Sequence, residues 1–200
     1  MRRPAPFDRR SVHAANPRST ESVRLPACRL QPGWQTGAKQ EQIGAMATDD
    51  FMRRAIALSN EMVQQGGGPF GAIVVKDGKI IAQGANRVTV DNDPTAHAEV
   101  VAIRAACAAL GSFALAGCEI YTSCEPCPMC LAAIYWARLE RVYFANTRSD
   151  AGAIGFDDDF LYREIPLPIE ARAIPMTRLL GDEARAVFRA WDTKADKVRY

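Results

Sequence analysis

Two short runs of this 200-residue chain carry side chains able to bind a metal and move protons. The first, Thr95-Ala96-His97-Ala98-Glu99, sets an imidazole two residues from a carboxylate. Alone, it reads as a satisfied polar pair at a helix start. The second, Ser123-Cys124-Glu125-Pro126-Cys127-Pro128-Met129-Cys130, places Cys127 and Cys130 three apart, which on a helix puts both sulfurs on one face. In a first helical turn both thiols feel the positive end of the helix dipole, which favours the thiolate that metals bind. A dithiol redox pair also uses C-x-x-C, but it needs no His-x-Glu upstream. An iron–sulfur cubane could take Cys124 as well, yet it wants a fourth thiolate, and core packing accounts for Cys107 and Cys118. A structural zinc closes its shell with four protein ligands, whereas the two histidines are His13 and His97, and only His97 lies beyond residue 45. Two thiolates and a neutral imidazole cancel Zn²⁺ and leave a fourth position for water, as in catalytic sites. Such a water has its pKa lowered toward ~7, and Glu99, off the metal, is placed to handle its protons.

The elements that must hold these runs follow from periodicity. Thr48, Asp49 and Asp50 offer a cap and an acidic first turn, and Phe51, Ala55, Leu58 and Met62 recur at helical spacing until Gly66, Gly67 and Gly68. Short strands are expected at 70–75 and 79–84 around Asp77-Gly78, a dipeptide that tolerates the positive φ of a tight hairpin. A helix over 96–110 ends at Gly111 and begins at the His-x-Glu run. Strands at 119–123 and 141–145 flank a helix over 127–138 that begins at the cysteine pair, and such a crossover favours parallel pairing. Beyond lie a loop with the acidic run 157–159, a strand near 173–179 and a helix over 182–194, with no internal repeat. The pattern is an α/β layered domain.

Composition narrows the function classes. With 48% hydrophobic and 24% charged residues the chain can build a core, which excludes a disordered or fibrous protein. No apolar run approaches the ~20 residues of a membrane span, and no secretory signal is visible, so six cysteines point to a reducing cytoplasm and not to a disulfide framework. The net charge of +2 averages two unlike parts: residues 1–45 hold eight basic and three acidic residues, a net +5, which leaves −3 for residues 46–200. That acidic body lacks the basic footprint of a nucleic-acid binder. Residues 1–45 carry five prolines and no apolar periodicity, and are expected to be a disordered basic extension. Met46, at the head of a well-formed helix entry, is an alternative start for the natural protein. The expected domain is 46–200.

H-x-E followed by P-C-x-x-C is the signature of zinc deaminases. At these residues the chain resembles the cytidine deaminase-like superfamily, and more closely the bacterial guanine deaminases within it. The likeness is dense in Gly68-Pro69-Phe70-Gly71-Ala72, Asn92-Asp93-Pro94-Thr95-Ala96-His97-Ala98-Glu99, Tyr121 to Cys130, Ile134-Tyr135-Trp136-Ala137-Arg138 and Gly155-Phe156-Asp157-Asp158. It implies a three-layer α-β-α fold with a five-stranded mixed sheet, and one zinc per subunit on His97, Cys127 and Cys130. Glu99 is implied as proton shuttle, with Asp158 helping to handle the protons of an amino group. Phe70, Asn86, Ala98, Trp136, Asp158 and the terminal Tyr200 are implied as contacts to a nucleobase. A homodimer that exchanges C-terminal segments is implied too, so that Asp158 and Tyr200 would reach the partner's site. An Asn amide donates and accepts, which suits guanine's edge but also adenine or cytosine. The tRNA adenosine deaminases share the zinc motif, and isoguanine, ammeline or a nucleoside are further substrates to weigh. A zinc-stabilised binding module without activity is disfavoured, because it has no use for Glu99.

Overall fold

The structure is a computed structural model and describes residues 47–156 and 158–199. Helix α1 (Thr48–Gln64) has the expected acidic first turn, Asp49 and Asp50, but its N-cap is Ala47 and not Thr48. Its buried face is Phe51, Ala55 and Met62. Strands β1 (Gly71–Lys76) and β2 (Lys79–Ala85) form the expected hairpin, with Asp77 at φ 49° and Gly78 at φ 69° in the turn. After a single turn, α2 (Val88–Asp91), come α3 (Ala98–Leu110), β3 (Cys118–Cys124), α4 (Pro128–Trp136) and β4 (Arg141–Asn146).

The sheet runs in the order β2-β1-β3-β4. β1 pairs antiparallel with both β2 and β3, while β3 and β4, joined by α4, are parallel. The sheet is therefore mixed. All of β1 except Lys76 is buried, and its alternation feeds two cores. Ala72 and Val74 join Ala98, Ala102, Ala106 and Ile134 under α3 and α4. Ile73 and Val75 join Phe51, Ala55 and Tyr121 under α1. This is the α-β-α layering expected.

Two glycines let the layers close. A Cβ on Gly71 would strike the α1 backbone at Ala55 and Ser59, and one on Gly84 would strike the α3 backbone at Ala98 and Ala102. Backbone lies against backbone at both points, one on each face of the sheet.

The C-terminal third departs from expectation. The loop after β4 contains two short helices, α5 (Arg148–Ala153) and α6 (Asp159–Glu164). Thr147 and Asp150 form a capping box that starts α5. The strand expected at 173–179 does not form, so four strands stand among the described residues. Pro175 lacks the N–H a ladder needs, and Ile174 and Leu179 are 76% and 77% exposed, so the segment joins no sheet face. Helix α7 (Gly181–Thr193) closes the series as expected. Among the described residues no helix is long and apolar enough to cross a membrane.

Candidate active site

Helices α3 and α4 both begin at a chemically distinctive residue. His97 is the N-cap of α3, in extended conformation, and Glu99 lies in its first turn. Cys127 is the N-cap of α4, Pro128 takes the first helical position, where its missing N–H costs nothing, and Cys130 follows within the same turn. The positive ends of two helices thus face the same group of thiols.

His97 Nδ1 lies 3.6 Å from Cys127 Sγ and 3.5 Å from Cys130 Sγ. A zinc ion bound tetrahedrally at ~2.0 Å to nitrogen and ~2.3 Å to sulfur requires nitrogen and sulfur to stand about 3.6 Å apart. These two edges fit that requirement, and all three donor atoms lie within 4.8 Å of one another. The donor set suits zinc. Cys124 stands apart from it: its thiol donates to the Thr147 carbonyl at 3.6 Å, and burial pushes its pKa up to about 11. A third thiolate for an iron–sulfur cluster is therefore not on offer.

The electrostatics agree with a shared charge. The Cys130 thiol donates to Cys127, which brings Cys127 down to about 4 and drives Cys130 upward, as one proton serves two sulfurs. The Cys127 thiolate in turn raises His97 above the usual imidazole value. Glu99 is buried, and chiefly for that reason its carboxyl is pushed up to about 6. A carboxyl poised there can both take and return a proton near neutrality.

A cleft of about 490 Å³ opens above these groups. His97, Glu99 and Cys127 line it, together with Phe70, Asn86, Phe156 and Asp158. Phe70 meets Phe156 edge to face, with ring centroids 4.8 Å apart. Asn86 is buried, and its backbone N–H bonds the Phe70 carbonyl at 3.0 Å. Its side-chain Oδ1 accepts from the Val88 N–H at 3.3 Å. Gly67 and Gly68 pack against Asn86 so closely that a Cβ on Gly68 would lie 3.0 Å from that oxygen. The triple glycine that ends α1 therefore also shapes the wall that holds the amide.

Most of the expected site residues come together here, but not all. Ala98 does not line the cleft: it is buried in the core under α3, between two residues that do. Trp136, expected beside the pocket, ends α4 with 61% of its surface exposed and the Arg138 guanidinium 5.7 Å from its ring centroid. It borders a surface groove with Val187, Phe188 and Trp191 instead. Asp158 lines the cleft of its own chain. Tyr200 falls outside the described residues, as does the expected disordered extension 1–45. Phe156, Glu125 and Thr89 also line the cleft, although the sequence reading gave none of them a role. Phe156, an aromatic between a glycine and a run of acids, offered the one signal that could have found it.

An α-β-α layered sheet with a His-Cys-Cys cluster at two helix starts and a buried glutamate beside it defines a zinc hydrolase of one kind. Residues 46–146 match the cytidine and deoxycytidylate deaminase zinc-binding region, and the chain belongs to that family. Within it, the chain is 54% identical to the guanine deaminase of Bacillus subtilis over 156 residues, 78% of this chain and 100% of that protein. The crystal structure of a Bacillus subtilis guanine deaminase superposes with a TM-score of 0.76 at 54% identity, covering 78% of this chain and 99% of the other. A tRNA-specific adenosine deaminase of Agrobacterium fabrum is 42% identical over 104 residues, 52% of this chain and 68% of that protein.

Proposed function

We propose that the chain hydrolyses guanine to xanthine and ammonia, with His97, Cys127 and Cys130 holding one zinc ion. The observation that carries the chemistry is the buried Glu99 carboxyl beside the three donors at the base of a cleft. What favours guanine is the 54% identity to a guanine deaminase over that protein's whole length.

Bound at the three donors, zinc supplies the Lewis acidity that makes water a nucleophile at neutral pH. Glu99 takes a proton from that water and delivers it to a ring nitrogen, then carries the second proton to the departing amine. Carbon–oxygen bond formation at the ring carbon bearing the amino group and loss of ammonia leave a carbonyl in its place. The Oδ1 of Asn86 accepts from the Val88 N–H, which orients the amide, and its N–H groups are available to acceptors on a purine edge. Phe70 and Phe156 offer apolar surface to the ring. Asp158 assists proton handling at the amino group, and Tyr200 closes the pocket.

The domain that does this is 46–200, working in the cytoplasm as a homodimer. Support for association comes from α7 and its approach, where Ile174, Leu179, Val187 and Phe188 are all exposed apolar residues. Ammonia release and xanthine formation from purified protein, tested on guanine, adenine, cytosine, guanosine and a tRNA anticodon stem-loop, decide the substrate. Guanine is expected to turn over fastest. Turnover of the stem-loop with none of guanine would replace this reading by the tRNA one, which the likeness to the Agrobacterium fabrum enzyme favours and the −3 charge of residues 46–200 opposes.

A further inference from the structure

Phe156 and Asp158 reach the cleft from a stretch that apolar packing hardly anchors: α5 buries only Ala151, and α6 buries no residue. Polar contacts do the anchoring, and they run from one segment to the other. The Glu125 N–H bonds the Asn146 carbonyl at 2.8 Å, and the Glu125 carboxylate accepts from the Arg148 N–H at 3.0 Å. The Arg148 guanidinium lies 4.7 Å from the centre of the Tyr162 ring. The half-buried Tyr162 then donates its hydroxyl to the carbonyl of Pro126 at 3.3 Å, while its own N–H bonds the Asp158 carbonyl at 3.3 Å.

The two ends of this chain of contacts matter most. Tyr162 stands one turn after Asp158 on α6, and the carbonyl it reaches belongs to the residue immediately before Cys127. One side chain therefore ties the backbone that carries a cleft carboxylate to the backbone that carries a zinc ligand. Pro126 has no N–H of its own, so its carbonyl is the group the loop offers, and a phenol is a suitable donor on a ring large enough to span the gap. We propose that Tyr162 is a positioning residue for deamination, holding Asp158 at its place over the zinc site through the Pro126 carbonyl and the Arg148 stack. This rests on the deaminase reading of the site but not on which base is the substrate.

The test is a double-mutant cycle on kcat/KM, with the whole chain loaded with zinc and using whichever base of the panel the wild type deaminates. A failure of the guanine assignment thus leaves this test intact. Tyr162→Ala is expected to lower kcat/KM about tenfold and Tyr162→Phe, which keeps the stack, about threefold, each with unaltered zinc content. In an Asp158→Asn background the same changes are expected to cost less than about twofold, because residues that act through one another are not additive. Equal losses in both backgrounds, no loss in either, or loss of zinc with loss of activity would each overturn the proposal. Should Tyr162→Ala fail to fold, Tyr162→Phe carries the cycle alone.

Discussion

At the scale of single residues the site separates binding the metal from using it. Replacing Glu99 by Gln removes the proton carrier and leaves the three donors in place. Zinc content is expected to stay at one per chain while kcat falls by roughly 10³-fold, within the span general acid–base groups contribute. Atomic absorption alongside the ammonia assay checks both halves, and substantial residual turnover would remove Glu99 from the chemistry. His97→Ala is expected to do the reverse first, releasing zinc to a chelator at concentrations the wild type resists. These residues were legible from the sequence because their chemistry is local: a C-x-x-C at a helix start and a lone usable histidine need no tertiary information. Trp136 was not. Whether an aromatic at the last position of α4 turns inward or outward depends on what lies beyond the helix end, and there it faces a groove with Phe188 and Trp191.

At the scale of elements, two devices set the geometry. The first is the pair of glycines against which α1 and α3 rest. Gly71→Ala and Gly84→Ala each place a methyl group into helix backbone that cannot step aside, and each is expected to lose about 1–3 kcal/mol of stability by denaturant titration. An equal Tm for either variant would show that the layers can separate. The second is the cap of α5. The Asp150 carboxylate accepts from the Thr147 N–H at 2.8 Å and its hydroxyl at 2.7 Å, which holds Asp150 below the usual carboxylate range. A depressed pKa contributes stability above the unfolded value and loses it as pH falls through the folded one. The penalty of Asp150→Asn is therefore expected in full at pH 7 and expected to shrink at a strongly acidic pH, below the lowered value, where the wild-type carboxyl is protonated too. Thermal melts at the two pH values measure it, and an equal penalty at both would refute the charge argument. The Thr147-x-x-Asp150 spacing was present in the sequence, yet a helix this short has too few apolar positions to show a period. The strand expected at 173–179 erred in the opposite way: apolar residues were visible, but a strand exists only where an edge accepts it.

At the scale of the molecule, the hairpin, the β3-α4-β4 crossover and the two helices that start at ligands were all readable, because each carries its own period and its own stop signal. The surface was less so, since exposed Val187 and Phe188 on α7 look in sequence like one more core face. If that face meets a second copy, Phe188→Asp is expected to shift sedimentation from dimer to monomer, and a wild type that sediments as a monomer would end the idea. Removing residues 1–45 is expected to leave kcat/KM unchanged, and a loss of activity would return those residues to the enzyme.

The spacing of the three donors has a bearing on how the chain folds. Cys127 and Cys130 can seize zinc as soon as one turn of helix forms, but His97 joins them from 30 and 33 residues away, across α3 and β3. The ion therefore staples a loop that encloses both α3 and β3, so its third bond requires those two elements to be packed in place. Metal affinity and global stability become one quantity seen from two sides. A chelator should then act as a denaturant for this chain, and free zinc should slow unfolding in proportion to how tightly the third ligand is held.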